Sequence, residues 1–427
     1  MIVRARSLFY GWWVLAGAMV LTALGGGIHS YGFSVFFLPL RESLGISAAS
    51  ASLIFALSRA EGAIEGPVAG YLIDRFGARV MLAVGAGIMA VGYLLLATAQ
   101  SYEAVLIIYL VVISVGVNCG FGHAMLALVN TWFARRRSFA MAIASAAPAI
   151  GGAIVAPVLG VAVVLLGWRV SAALAGAVVL VLIVPVTFVV RRSPESIGLL
   201  PDGAAPEAPT ADGTRVRVVE PPGYSAREAM RTPAYWFMLA ATSLRICVGG
   251  AMTVHFVAIM VWKGMDETLA AGLLGIFALF SIPLRIFTGW LGDRFSKTKL
   301  LALTLAVGTV SLTLLNYSPG IWYLWLFLPL FAWVESNPSL NWALIGDYFG
   351  RQQFATIRGS MSFFYGWVQM AAPLLAGIIW DRTGSYEIAL WIFTGMWVVG
   401  AVIFLFLRPP KARPSPAETM AEAAAPA

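Results

Sequence analysis

The chain has 427 residues, 60% of them hydrophobic and 11% charged, with a formal net charge of +8 and a mean hydropathy of +0.85. That much apolar surface cannot be covered by a polar shell in water, which excludes an ordinary soluble domain and places the chain in a bilayer. The basic residues are scattered over many short loops, so the positive charge offers no nucleic-acid-binding face.

The N-terminal MIVRARSLFYGWWVLAGAMV imitates a secretory signal, but its apolar run continues to Leu38 and is too long for one. It is the first of twelve stretches long enough to cross about 30 Å of hydrocarbon as helices. They fall near 11–38, 48–73, 79–99, 103–129, 138–165, 169–190, 235–262, 268–292, 299–316, 321–346, 355–380 and 386–407. Short alternating segments of a membrane β-barrel do not occur. The expected fold is an all-α membrane protein with twelve transmembrane helices in two six-helix halves, 1–190 and 235–407. Between them, 191–234 is rich in Pro, Gly, Ala and charge and reads as a cytoplasmic linker with a partly disordered middle. Its SAREAMRT segment is expected to form a short amphipathic helix. The tail 408–427 is low in complexity and is expected to be disordered and cytoplasmic.

With the N-terminus inside, 21 of the 28 Lys and Arg fall on inner segments, Arg351 and Arg358 being counted in the loop before the eleventh span. This bias puts both termini in the cytoplasm of a multi-pass protein of the plasma, or inner, membrane. Three arginines, Arg59, Arg245 and Arg285, remain in the membrane interior.

The two halves echo one another. GYLIDRFGAR at 70–79 returns as GWLGDRFSKT at 289–298, WFARRR at 132–137 aligns with YFGRQQ at 348–353, and Pro157 aligns with Pro373. An internal repeat of six-helix units is the signature of a secondary transporter, with substrate bound near the midplane between the units. The GxxxDRxGxR loop between spans two and three, repeated more loosely between eight and nine, resembles the signature loop of the major facilitator superfamily. That resemblance implies a conformational latch. Asp74, Arg75 and Arg79 would tie the cytoplasmic ends of neighbouring helices together, and Gly70 would allow close approach. Asp293 and Arg294 are the second copy, which departs from the pattern at Ser296, where the first copy has Gly77. Charges that merely fix topology at a tight turn are the alternative reading.

Ionisable groups inside a membrane cost at least a few kcal/mol to insert and mark functional sites by default. Arg285 lies eight residues before Asp293, a rise of about 12 Å, which puts it near the midplane. Its planar fork of donors suits either a substrate carboxylate or an internal ion pair with Glu61, Glu65 or Glu335. Glu61 and Glu65 stand one turn apart, so their repulsion favours a proton on one of them. Glu335 opens ESNPSLN, a polar interruption around Pro338. These three are the proton-coupling candidates. His255, about 10 Å down span seven, could bind a carboxylate or carry a proton, or could be satisfied by a neighbouring carbonyl. His29 and Tyr31 follow the GGG at 25–27, where the first helix could bend toward a cavity or pack closely on a neighbour. Asn118 offers a neutral donor and acceptor on span four.

The RxxxG of span eight, the aromatic FYGWW opening span one and His255 together resemble the monocarboxylate-transporter branch of the superfamily. The resemblance implies movement of small organic anions, often with a proton, with Arg285 as anion anchor. Tyr31 and Ser281 stand where that branch has a lysine and an aspartate, which puts its usual proton-carrying pair in question. The expected function is therefore secondary active transport of a small monocarboxylate with a proton by alternating access, its partners being the anion, the proton and the bilayer. Anion antiport, export of amphiphilic compounds and a non-transporting anion receptor are the alternatives. No GxxxxGKS, HExxH or GxSxG occurs, which argues against direct ATP use and against an enzyme. His29, His123 and His255 lie on separate spans without metal-ligand spacing, and Cys119 and Cys247 have no CxxC, so no cofactor or metal is expected. Oligomeric state is not readable, a monomer being compatible with everything above.

Overall fold

A computed structural model describes residues 9–46, 48–203, 223–317 and 322–410. The middle of the linker and all but the first residues of the tail, where the sequence leads one to expect disorder, lie outside the described residues. Among these residues every regular element is helical.

Twelve helical spans follow in chain order. The first, α1, runs from Tyr10–Gly25 through a π-helical Gly26–Tyr31 into Gly32–Leu44. It is followed by α2 (Ala48–Phe76), α3 (Ala78–Thr98), α4 (Tyr102–Trp132), α5 (Arg137–Leu166) and α6 (Trp168–Val189). Then come α7 (Pro233–Trp262), α8 (Glu267–Gly292), α9 (Lys297–Tyr317), α10 (Trp322–Glu335 and Pro338–Phe349), α11 (Phe354–Thr383) and α12 (Glu387–Phe406). Nine are long and apolar enough to span a bilayer by length and composition alone. The other three, α2, α8 and α10, are those that carry Glu61 and Glu65, Arg285, and the break at Glu335.

Short junctions need special backbone. Gly77 alone separates α2 from α3 and Gly167 alone separates α5 from α6, with φ of +91° and +79°, a region glycine enters without a Cβ penalty. Apolar side chains cover the outside, Val164 being 84% and Phe188 68% exposed, as a lipid-facing surface requires. The linker's expected short helix is present as Ala226–Met230. Its capping box has Ser225 accepting the Glu228 amide while the Glu228 carboxylate accepts the Ser225 amide.

Contacts between the first six spans and the last six run chiefly through α2 with α11 and through α5 with α8 and α10. These helices touch backbone to backbone. A Cβ on Gly70 would collide with the Ala355 carbonyl, and Gly66 and Gly359 would each collide with the other's neighbourhood. The glycines of α1 do the same within their half, Gly26 and Gly27 lying against the backbone of Pro148 and Gly151. The GGG at 25–27 therefore serves close helix packing and opens a π-helical segment.

Candidate functional site

A cavity of about 750 Å³ lies between α2, α4, α7, α10 and α11. Its polar walls are Asn118 and His123 from α4, Arg245 and Thr253 from α7, Glu335 from α10, and Ser362, Tyr365 and Gln369 from α11. Trp342, Trp367 and Met370 add an apolar, aromatic side. Gly62 and Gly249 line it where a larger residue would intrude, and a Cβ on Gly249 would lie 2.5 Å from Oε1 of Glu335.

Charge gathers at one wall. The Glu335 carboxylate is within electrostatic reach of both Arg245 and Arg285. No ion-pair contact joins Glu335 to either arginine, and Oε1 of Glu335 and Nε of both arginines are buried without a hydrogen-bond partner among the described residues. Arg285 is half-buried behind the lining, and its Nη1 donates to the Ser145 carbonyl of α5 at 2.9 Å. Of the proton-coupling candidates, Glu335 thus stands by the arginines, while Glu61 and Glu65 stand together elsewhere. Their two carboxyls adjoin one another, and Glu65 accepts from Nδ2 of Asn118 at 2.9 Å. The Arg59 side chain lies outside the described residues.

The remaining candidates are dispersed. His255 has both ring nitrogens engaged, Nδ1 with the Tyr386 hydroxyl and Nε2 with the Pro373 carbonyl, each at 3.0 Å. His29 is buried and stacks on Tyr109 at 5.2 Å between ring centroids, and its carbonyl accepts the Tyr109 hydroxyl. Tyr31 is 47% exposed, faces Gly152 and lies within electrostatic reach of Arg285. Cys119 and Cys247 are buried thiols, as the sequence leads one to expect.

The latch residues meet the opposite half at one end of the molecule. Asp74 accepts the amides of Ala355 (3.2 Å) and Thr356 (2.7 Å) and the Thr356 hydroxyl (2.6 Å). Asp293 accepts the amides of Ser138 (2.8 Å) and Phe139 (3.1 Å). Both carboxylates thereby cap helices that have no side-chain cap of their own, α11 and α5. Burial raises the Asp293 carboxyl above the ordinary range, against the lowering effect of those amides and of Lys297. Arg75 donates to the Tyr71 hydroxyl, Arg294 lies over the Trp290 ring, and Arg79 is half-buried in the first turn of α3. Two further bridges hold this end. Asp347 pairs with Arg137 (2.6 Å) and Lys297 (2.7 Å), and Arg351 bonds the Thr131 carbonyl and Glu195.

Of the other buried basic residues, Arg245 is one that the sequence marks as intramembrane, and Arg358 is one that it misses. Arg245 lines the cavity, and the rise argument applied from Thr232 places it about 20 Å into α7. Arg358, which the charge count puts in a loop, is buried inside the bundle against His123. No local pattern signals that contact, because its partner is 235 residues away.

A bundle that is all helical among the described residues, with polar groups converging on an internal cavity and aspartate-capped helices joining the halves at one end, is the architecture of a multi-pass membrane protein. A family model described as Major Facilitator Superfamily matches residues 15–341 and 264–426, and the chain belongs to that family. It is 25% identical over 355 residues to the oxalate:formate antiporter of Oxalobacter formigenes, covering 80% of this chain and 79% of that one. It is 24% identical to monocarboxylate transporter 12-B of Danio rerio, covering 93% and 86%. Among solved structures, the E. coli fucose:proton symporter FucP superimposes with a TM-score of 0.71 at 15% identity, over 95% of this chain and all of that one. These relatives place the protein among transporters of small organic substrates.

Proposed function

We propose that the protein moves a small organic monocarboxylate together with a proton by alternating access, the halves 1–190 and 235–407 rocking about the central cavity. The reading rests on one observation, the grouping of Arg245, Glu335 and Arg285 with buried donors and an acceptor not spent on each other. Two guanidiniums and one carboxylate leave a net positive charge in a poorly solvated place, and a substrate carboxylate supplies the missing anion. A proton on Glu335 would remove the competing negative charge and leave both guanidiniums to the substrate carboxylate. Proton and anion would then cross together without net charge, so a pH gradient could drive accumulation. Carboxylates in the names of relatives, oxalate and formate among them, support the substrate class. The positive-inside bias supports a latched end in the cytoplasm.

Uptake of a labelled lactate-like acid into proteoliposomes is expected to rise with an inward proton gradient and to stop with a protonophore. Glu335→Gln is expected to keep uptake while losing its response to the gradient. Uptake indifferent to the gradient in the parent protein would sink the coupling. The antiporter among the relatives favours a second reading, exchange of one carboxylate for another at the same arginines. Preloading the vesicles with unlabelled acid separates the two, since obligate exchange gives no uptake into empty vesicles at any pH.

A further inference from the structure

His123 on α4 and Arg358 on α11 meet across the boundary between the halves. Nη1 of Arg358 stands 2.7 Å from Nδ1 of His123 and also donates to the Gly122 carbonyl at 3.3 Å. The guanidinium lies over the Trp342 ring, 4.7 Å from its centroid. Both side chains are buried, Arg358 at 8% and His123 at 7% exposure. An arginine has no acceptor, so it is the donor here, and Nδ1 of His123 must carry a lone pair with the ring proton on Nε2. The contact therefore exists only while the imidazole is neutral. A second proton would turn the acceptor into a donor and set two cations at hydrogen-bond distance in a low dielectric.

Position turns this into a device. His123 lines the cavity, whereas Arg358 lies beneath the lining in the first turns of α11, the helix whose amides Asp74 holds. A proton entering the cavity reaches the imidazole from one side and weakens a bond that holds the halves together on the other. We propose that His123 is a proton-binding site of the gate, whose protonation releases α11 from α4 and favours opening of the latched end. This goes beyond the substrate reading and assumes nothing about what is carried.

The hydrogen bond from Arg358 is the one that the described residues give to the His123 ring. Other ionisable groups on the helices packed around this part of α4 are Glu65 of α2, which accepts from Asn118 of α4, Glu61 beside it, and Arg245 of α7 across the cavity. On α11 itself Tyr365 is within electrostatic reach of Arg358. Arg137 of α5 and Asp347 of α10 pair with each other, His29 of α1 stacks on Tyr109, Tyr93 of α3 bonds the Ile28 carbonyl, and Arg79 sits in the first turn of α3. Asp74 and Asp293 also titrate at the gate, so the test must separate His123 from every carboxylate.

The full chain in lipid nanodiscs, without substrate, carries spin labels at Phe76→Cys and Phe295→Cys, both exposed at the latched end, with Cys119→Ala and Cys247→Ala in the background. Distances are measured by pulsed electron resonance between pH 8 and pH 5. The separated population is expected to rise several-fold on acidification in the parent. His123→Gln keeps a neutral acceptor, leaves every carboxylate in place and should give the parent's pH 8 distribution at both pH values. Arg358→Gln, which removes the opposing cation, should also abolish the rise and serves if His123→Gln does not fold. A parent distribution unchanged with pH, or a rise undiminished in either His123→Gln or Arg358→Gln, would overturn the assignment.

Discussion

The Asp74 carboxylate caps α11 at Thr356, and Asp293, its counterpart in the repeat, caps α5 at Phe139; each takes the second and third amides of a helix in the opposite half. The two latches are geometrically equivalent although the second loop has lost the glycine of the first. Asp74→Ala and Asp293→Ala are each expected to cost the latched state about 1–2 kcal/mol, roughly a 5- to 30-fold change in its population. Cysteine accessibility at Phe76 and Phe295 measures this. A large effect at Asp74 with none at Asp293 would show that the second latch is idle.

Close approach of α2 to α11 depends on hydrogen at Cα. Gly359→Ala puts a Cβ against Gly66 backbone, which cannot swing away as a side chain can, and Gly66→Ala puts one against the Ser362 hydroxyl and the Gly359 carbonyl. The latched state should then be excluded and uptake lost, with the protein still folded, since each helix is otherwise unchanged. Gly87→Ala is the control, because a Cβ there meets nothing within 4 Å. Retained uptake in Gly359→Ala would refute a working backbone contact.

Arg245 and Arg285 can be separated from Glu335 by paired substitutions. Arg285→Lys keeps the charge but not the planar fork, and it should fold yet lose most transport. Arg285→Ala should lose transport as well, alone and combined with Glu335→Gln. If the double variant regains both uptake and melting temperature, Arg285 serves Glu335 rather than a substrate, and the anchor role passes to Arg245.

Asp347 holds two cations from different helices, Arg137 and Lys297. Asp347→Ala leaves the buried Arg137 side chain facing Lys297. The expected loss is about 1–3 kcal/mol, below the range for a fully buried pair because part of Asp347 reaches solvent. Adding Arg137→Met should restore much of the melting temperature. No recovery would mean that Asp347 acts chiefly through Lys297.

Spans and repeat are legible in this sequence because both leave local marks, apolar runs of membrane length and a recurring DRF motif. The break in α10 is equally visible, since Glu335, Asn337 and Pro338 interrupt an otherwise apolar run. Depth along a helix follows from rise per residue, so Arg285 could be placed near mid-membrane. Its rotation about the helix axis could not, and that rotation aims Nη1 at Ser145. For His255 the sequence allows a neighbouring carbonyl, which the Pro373 oxygen supplies, but the same limit hid the Tyr386 hydroxyl. It also hid Arg358, which stands four residues into α11, where a count of loop charges and a count of buried charges give different answers.

The donors in both latches include main-chain amides, at positions 138, 139, 355 and 356, and this shapes how the protein can vary over generations. Substituting Ser138, Phe139 or Ala355 leaves the amide in place unless the newcomer is proline, which lacks one. The amides thus persist through side-chain change, although burial confines Ser138 and Ala355 to small residues. Inherited control over the lock is concentrated in two aspartates, which accept all four of these amides.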